Sequence, residues 1–539
     1  MFLPVKYNST NILASNAVKM LAEMTRLSYH HRAISCYAVL SIWIFLLVAG
    51  MYKYIGDEET NSMPGKPLGS VLPIREFPRQ MKRDVRNQRV FKFCHSPEDI
   101  PVGSEGKIEG NVTLEGVIVV TRHGDRGPMT HVRNISAVNC AGDLSAYPEL
   151  ENLHQTYQSF VQNVTLHSRA AWSQFLGPFH NFPILPEATK DCKLGQLTSL
   201  GVGQMLKVGS LLRNAYHEKL HLGNGTISAT DVTACSTATR RTLQSGVSFL
   251  YAFLENENLQ NLPRFTVRES QSYVFCNTDC ACPAADNYGQ EHARELNDLL
   301  ESHPAVMDLM KQVSQIVFEM PDQSKSLNLN YLKDALLTYI CHDGKLPCID
   351  TETGRTCVKA EDVTALFTYI EWEQRQIMNS HNLRKFAILR SYGMLKTIVS
   401  HMLQMVSESK PKVSIFSAHD ATLEYLGFGL GIVSERIMWP PYASRLVIEV
   451  YKTNPKNKDR LARDFYYRVL LNGYDLTKTI SFCRNANSYT ANYLDTNENG
   501  ETTKRETILC PIEAIIRQLH DDYFLPFNAT NFKDACAIH

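Results

Sequence analysis

Residues 121–128 read Thr-Arg-His-Gly-Asp-Arg-Gly-Pro. The segment holds one imidazole, His123, between two guanidinium groups, Arg122 and Arg126, while Gly124 and Gly127 let the backbone turn tightly. Arginine forks match the oxygens of a phosphate. An imidazole among them is poised to attack phosphorus rather than to bind a metal, because the arginines draw off phosphate charge and a neutral histidine is a competent nucleophile. The competing reading is a surface turn with two solvated arginines. Rarity argues against it, since R-H-G-x-R-x-P arises by chance in on the order of one such chain in ten thousand.

Two further segments carry compatible chemistry. Residues 236–242, Ser-Thr-Ala-Thr-Arg-Arg-Thr, lead into a helical pattern. An arginine at a helix N-terminus opposes the helix dipole unless an anion compensates it, so Arg240 or Arg241 is a candidate third phosphate clamp. Residues 417–422, Ser-Ala-His-Asp-Ala-Thr, place His419 beside Asp420. One of these can donate to phosphate while the other protonates the departing oxygen, which an alkoxide leaving group requires.

Each segment follows a short apolar, β-branched run, at 117–120, 232–235 and 413–416. Such runs read as strands of a parallel sheet buried on both faces. Helical patterns at 242–254 and 388–402 alternate with them, which predicts an open α/β layered fold with its ligand site at the carboxyl ends of the strands. The stretch 255–380 differs, with short helical patterns and cysteines at 276, 280, 282, 341, 348 and 357. It is expected to form a cross-linked α-helical cap. The C-x3-C-x-C spacing of Cys276, Cys280 and Cys282 could suggest zinc, but no matching histidine pair lies nearby and an oxidising compartment favours disulfides.

That compartment is inferred from residues 33–52, twenty consecutive uncharged residues, enough helix to cross a bilayer core. They start too far into the chain for a cleaved signal peptide, so they read as a signal-anchor. Lys6, Lys19, Arg26 and Arg32 precede the run against one acid, Glu23, which keeps a tail at 1–32 cytoplasmic and the remainder lumenal. N-glycosylation sequons at Asn111, Asn134, Asn163, Asn224 and Asn528 all lie on the lumenal side. So do all of the 14 cysteines except Cys36; the remaining number is odd, and Cys235 is the candidate free thiol. Residues 53–90, with Pro64, Pro67, Pro73 and Pro78, read as a lumenal stem. Its basic run from Arg75 to Lys92 reads as a solvated linker, with contact to a sulfated or phosphorylated glycan as the alternative.

With 539 residues, 44% hydrophobic and 20% charged, the chain is neither disordered nor collagen-like. Equal numbers of Lys+Arg and Asp+Glu, 55 each, leave no bulk footprint for nucleic acid.

The segments RHGDRGP at 122–128, STATRRTLQSG at 236–246 and SAHD at 417–420 resemble those of the histidine acid phosphatases, the second branch of the histidine phosphatase superfamily. GQLTSLGVGQ at 195–204, PPYAS at 440–444 and VLLNG at 469–473 extend the resemblance over about residues 91–539. It implies a phosphoglycerate-mutase-like three-layer sandwich with a disulfide-linked helical cap, mainly 130–190 and 255–380. It also implies that His123 is the nucleophile, that Arg122, Arg126, Arg241 and His419 hold the phosphate, and that Asp420 is the proton donor, with no metal or other cofactor. Arg241 is preferred to Arg240 because it directly precedes Thr-Leu.

Within the family, FCNTDCACP at 275–283 and the anchor resemble the members that remove the 2-O-phosphate from xylose in the glycosaminoglycan–protein linkage region in the Golgi. The alternatives are a broad-specificity lumenal acid phosphatase, an inositol polyphosphate phosphatase, which usually carries His-Ala-Glu at the last motif, and a non-catalytic scaffold binding a linkage-region glycosyltransferase.

Overall fold

The computed structural model describes residues 88–537 apart from short segments at 136–137, 139, 141–143, 188–191, 223–226, 255–265, 320–327, 343, 353, 454–459, 485 and 497–501. The expected tail, anchor and most of the stem lie outside the described residues. Among the described residues no helix is long and apolar enough to cross a membrane. The last stem residues already belong to the folded part: Gln88–Phe91 is helical and Val90 is fully buried.

The first half of the chain supplies β1 (Val112–Arg122), α1 (Pro148–His167), α2 (Arg169–Leu176), α3 (Ser199–Tyr216), β2 (Val232–Thr237), α4 (Arg240–Leu254) and β3 (Val267–Ser270). Next come α5 (Pro283–Glu301), α6 (Pro304–Val317), α7 (Leu329–Cys341), α8 (Ala360–Ile377) and α9 (His381–Glu408). The remainder is β4 (Val413–Ala418), α10 (Asp420–Gly429), β5 (Arg445–Thr453), β6 (Phe465–Leu471), β7 (Tyr489–Thr496) and β8 (Thr502–Pro511).

Period-two alternation along β1 sends Val117 and Val119 to one core and Ile118 and Val120 to another. A strand apolar on both faces needs cover on both. α3 and α4 bury Val202, Leu206, Leu243 and Leu250 on one face, while α9 and α10 bury Leu395, Val399, Leu423 and Leu426 on the other. The result is a mixed α/β fold with helices on both faces of the sheet, and the three expected strands are adjacent and parallel within it. The sheet order among the described residues is Ile108–Glu109, β7, β8, β6, β5, β1, β4, β2, β3. From β5 outward the pairing is antiparallel.

A third core joins α6, α7 and α8 through Met310, Val313, Leu332, Leu336, Leu366 and Phe367, with Val90, Phe93 and Trp439 packed in. These three helices fall within the second of the two stretches expected for the cap. Parts of the two stretches expected for it lie elsewhere. α1 and α2 bury Leu150, Tyr157, Val161, Trp172 and Phe175 in the sheet-side core with α3 and α4. β3 pairs with β2 as the edge of the sheet, and Ala284 and Ala285 of α5 join the core under α9. Their apolar residues pack into the two cores that cover the sheet.

Disulfides join Cys94–Cys341, Cys140–Cys192, Cys276–Cys280, Cys282–Cys536, Cys348–Cys357 and Cys483–Cys510, and Cys235 is a free thiol. Asn111, Asn134, Asn163 and Asn528 are exposed; Asn224 lies outside the described residues.

Candidate active site

Three neighbouring parallel strands end level with one another. Arg122 of β1 is opposite Ala418 of β4, and Ser417 is opposite Ser236 of β2. The segments 122–128, 236–242 and 417–422 therefore leave the sheet at one edge, where open α/β sheets bind ligands.

His123 is buried, and its amide donates to the Ala418 carbonyl. Its Nδ1 is 2.8 Å from the Gly124 carbonyl oxygen, so Nδ1 carries the proton and Nε2 keeps its lone pair. Burial, reinforced by Arg241, Arg122, His419 and Arg126, holds the imidazole well below its ordinary pKa and therefore neutral. Gly124 is required by close approach: a Cβ there would lie 2.2 Å from the Gly201 carbonyl oxygen of α3.

The Arg122 guanidinium donates to the Pro440 carbonyl at 2.6 Å, pairs with Asp420 Oδ2 at 2.9 Å and lies 4.2 Å from the Tyr442 ring centre. Arg126 pairs through Nη2 with Asp334 Oδ1 at 2.8 Å; burial would lower its pKa, but Asp334 raises it above the ordinary value. Arg241 is half-buried and Arg240 exposed. The Arg241 Nε is buried without a hydrogen-bond partner, and burial together with Arg126 pulls its pKa down to about 10. A cation in that state is favoured by an arriving anion.

His419 is buried, its ring edge-on to His123 at 5.5 Å between centres, with Nε2 3.0 Å from the Thr237 hydroxyl oxygen. Burial and Arg241 bring it down to about 3. Asp420 opens α10 and accepts from the Ala421 amide at 2.9 Å. Burial alone would raise its carboxyl, but Arg122, that amide and Arg126 hold it far below the usual carboxylate range.

All six expected phosphate-site residues thus converge on one edge of the sheet. Asp125, inside the same motif, turns away: its carboxylate accepts from the Thr198 hydroxyl at 2.6 Å and pairs with His342 at 2.8 Å, while its amide donates to Gln204 at 2.7 Å. Those contacts tie the motif to α3 and to the residue after α7. Asp334, Lys333, Trp439 and Tyr442 also line the arrangement and were not anticipated. Tyr442 lay within the PPYAS segment, but no pattern in the sequence marks Asp334 or Lys333.

A family model described as "Histidine phosphatase superfamily (branch 2)" matches residues 113–472. Among curated proteins, 2-phosphoxylose phosphatase 1 of Danio rerio is 28% identical over 465 residues, covering 83% of this chain and 86% of that protein. The protein of the same name in Xenopus tropicalis is 28% identical over 445 residues, covering 82% and 81%. Prostatic acid phosphatase of Rattus norvegicus is 26% identical over 292 residues, covering 52% of this chain and 72% of that protein.

Proposed function

From its place in the histidine phosphatase superfamily, branch 2, to which this chain belongs as a phosphomonoester hydrolase, we infer that it removes the 2-O-phosphate of xylose in the glycosaminoglycan–protein linkage region. The observation that carries the reading is a neutral imidazole, His123, with a free Nε2 lone pair among three guanidiniums. The similarity to 2-phosphoxylose phosphatases supports this choice of substrate.

In this reading Arg122, Arg126, Arg241 and His419 bind the phosphoryl oxygens. Nε2 of His123 bonds to phosphorus as the phosphorus–oxygen bond to the sugar breaks. Asp420 gives its proton to the departing oxygen, leaving phospho-His123, the free sugar hydroxyl and a carboxylate. Water then attacks the phosphohistidine, its proton returns to Asp420, and phosphate leaves. Arg122 links binding to proton supply. While it holds Asp420 the carboxyl stays ionised; when phosphate engages Arg122 and adds negative charge beside Asp420, the carboxyl pKa rises and it can arrive protonated.

The setting we propose is a single-pass type II Golgi membrane protein with its catalytic part, about residues 91–539, in the lumen. The uncharged run at 33–52, the flanking charges and the paired cysteines support it.

The test uses the lumenal part with a phosphoxylosyl glycopeptide, inositol hexakisphosphate and a phosphopeptide. The glycopeptide is expected to be the best substrate, rapid quench to trap phosphate on residue 123, and His123→Ala to abolish release by at least three orders of magnitude while unfolding normally. A preference for inositol hexakisphosphate overturns the substrate assignment. Equal activity of wild type and His123→Ala overturns the mechanism.

A further inference from the structure

Lys333 is the residue before Asp334 on α7 and has no part in the phosphate clamp described above. Its half-buried Nζ lies 3.1 Å from the Trp439 ring centre and 3.0 Å from Asn330 Oδ1. The carboxylates that bear on its charge include Asp420, Glu424, Asp334 and Glu373 of α8, yet among the described residues no carboxylate approaches it within ion-pair distance. Burial outweighs those carboxylates and pulls the amine down to about 8, while burial raises Glu424 to about 7.

The ammonium is fixed from two sides. Asp334 anchors that turn of α7 to Arg126 at 2.8 Å. Trp439 stacks on Phe93 at 4.0 Å between ring centres and holds a left-handed backbone, φ 45°, which a bulky residue keeps only when its surroundings impose it. A lysine uses three donors; here Asn330 and the aromatic face engage two. The remaining donor belongs to a cation held next to the clamp: Trp439 beneath it precedes Pro440, whose carbonyl accepts from Arg122, and the Trp439 amide donates to Glu424, one turn of α10 beyond Asp420.

We propose that Lys333 is a specificity-determining residue whose ammonium donates a hydrogen bond to a hydroxyl on the carbon next to the ester carbon of the leaving alcohol. The site then selects monophosphates of vicinal diols, the class to which phosphorylated sugars belong. This rests on the phosphatase reading in which Asp420 protonates the leaving oxygen.

The test compares trans-cyclohexane-1,2-diol monophosphate, cyclohexyl phosphate and an aryl phosphate without a neighbouring hydroxyl, all with the whole lumenal part. Wild type is expected to prefer the diol ester to the cyclohexyl ester by about tenfold in kcat/KM, the size of one hydrogen bond to a charged group. Lys333→Met should erase that preference by slowing the diol ester alone, leaving the aryl ester within about twofold. Lys333→Arg, which keeps charge and donors, should retain part of it. A preference that survives in Lys333→Met, or is absent in wild type, overturns the proposal, as does an equal loss on all three esters. Absence of turnover of every ester by wild type brings down the phosphatase reading itself, a result distinct from turnover without preference.

Discussion

In the proposed mechanism the ion pair between Arg122 and Asp420 gives one carboxyl opposite tasks at two moments of a turnover. Before phosphate engages Arg122 it is the anion that neutralises that arginine; afterwards it is the proposed acid. Removing its proton therefore matters in proportion to how badly the leaving group needs one. Asp420→Asn is expected to slow hydrolysis of sugar and alkyl esters by at least a hundredfold more than that of aryl phosphates, read as kcat/KM across a leaving-group series. Equal losses across the series would remove Asp420 from the acid role. His123, Arg122, Arg126, His419 and Asp420 were legible because they crowd two short motifs at strand ends. Asp125 shows the limit of that legibility. It stands between the two arginines in sequence, yet its carboxylate points to Thr198 and His342, and only the fold reveals which way a motif residue turns.

The element that completes the pocket is α7, which brings Asp334 to Arg126 and Lys333 to Trp439, while its last residue, Cys341, is bonded to Cys94. Without Asp334, Arg126 loses the partner that orients it. Asp334→Ala is expected to weaken inhibition by phosphate or vanadate and to lower kcat/KM about ten- to a hundredfold on every ester alike, the signature of a misplaced clamp rather than of altered selectivity. A selective loss on sugar esters would contradict this. The three parallel strands could be read from their apolar runs because every side chain there is hydrophobic or small. β5 could not: all nine of its residues are buried, but Arg445, Glu449 and Lys452 break the apolar signal. α7 carries no chemical motif. Its contribution to the site arises from tertiary docking across some two hundred residues from Arg126, which local patterning does not encode.

Across the whole molecule, the antiparallel half of the sheet carries a buried ionic cluster that stiffens it behind the site. Glu449 accepts from Arg468 at 2.8 Å, from Tyr216 at 2.7 Å, from Tyr451 at 2.8 Å and from the Gly106 amide at 2.6 Å. Glu449→Gln removes the shorter of the two ion pairs of the buried Arg468, leaving only Asp475 at 3.6 Å, and is expected to cost about 3–5 kcal/mol in urea unfolding while sparing kcat/KM of the folded fraction. A loss below about 1 kcal/mol would mean that Asp475 alone compensates Arg468. Charge compensation recurs at the pocket, with a different outcome. Two of its three guanidiniums hold a carboxylate, Arg122 that of Asp420 and Arg126 that of Asp334. In the proposed mechanism an incoming phosphoryl group takes Arg122 from Asp420, while Asp334 stays on Arg126 as its positioning counter-charge. A singly charged visitor gains less from that exchange than a phosphoryl dianion, so the proposed site is expected to discriminate against monoanions.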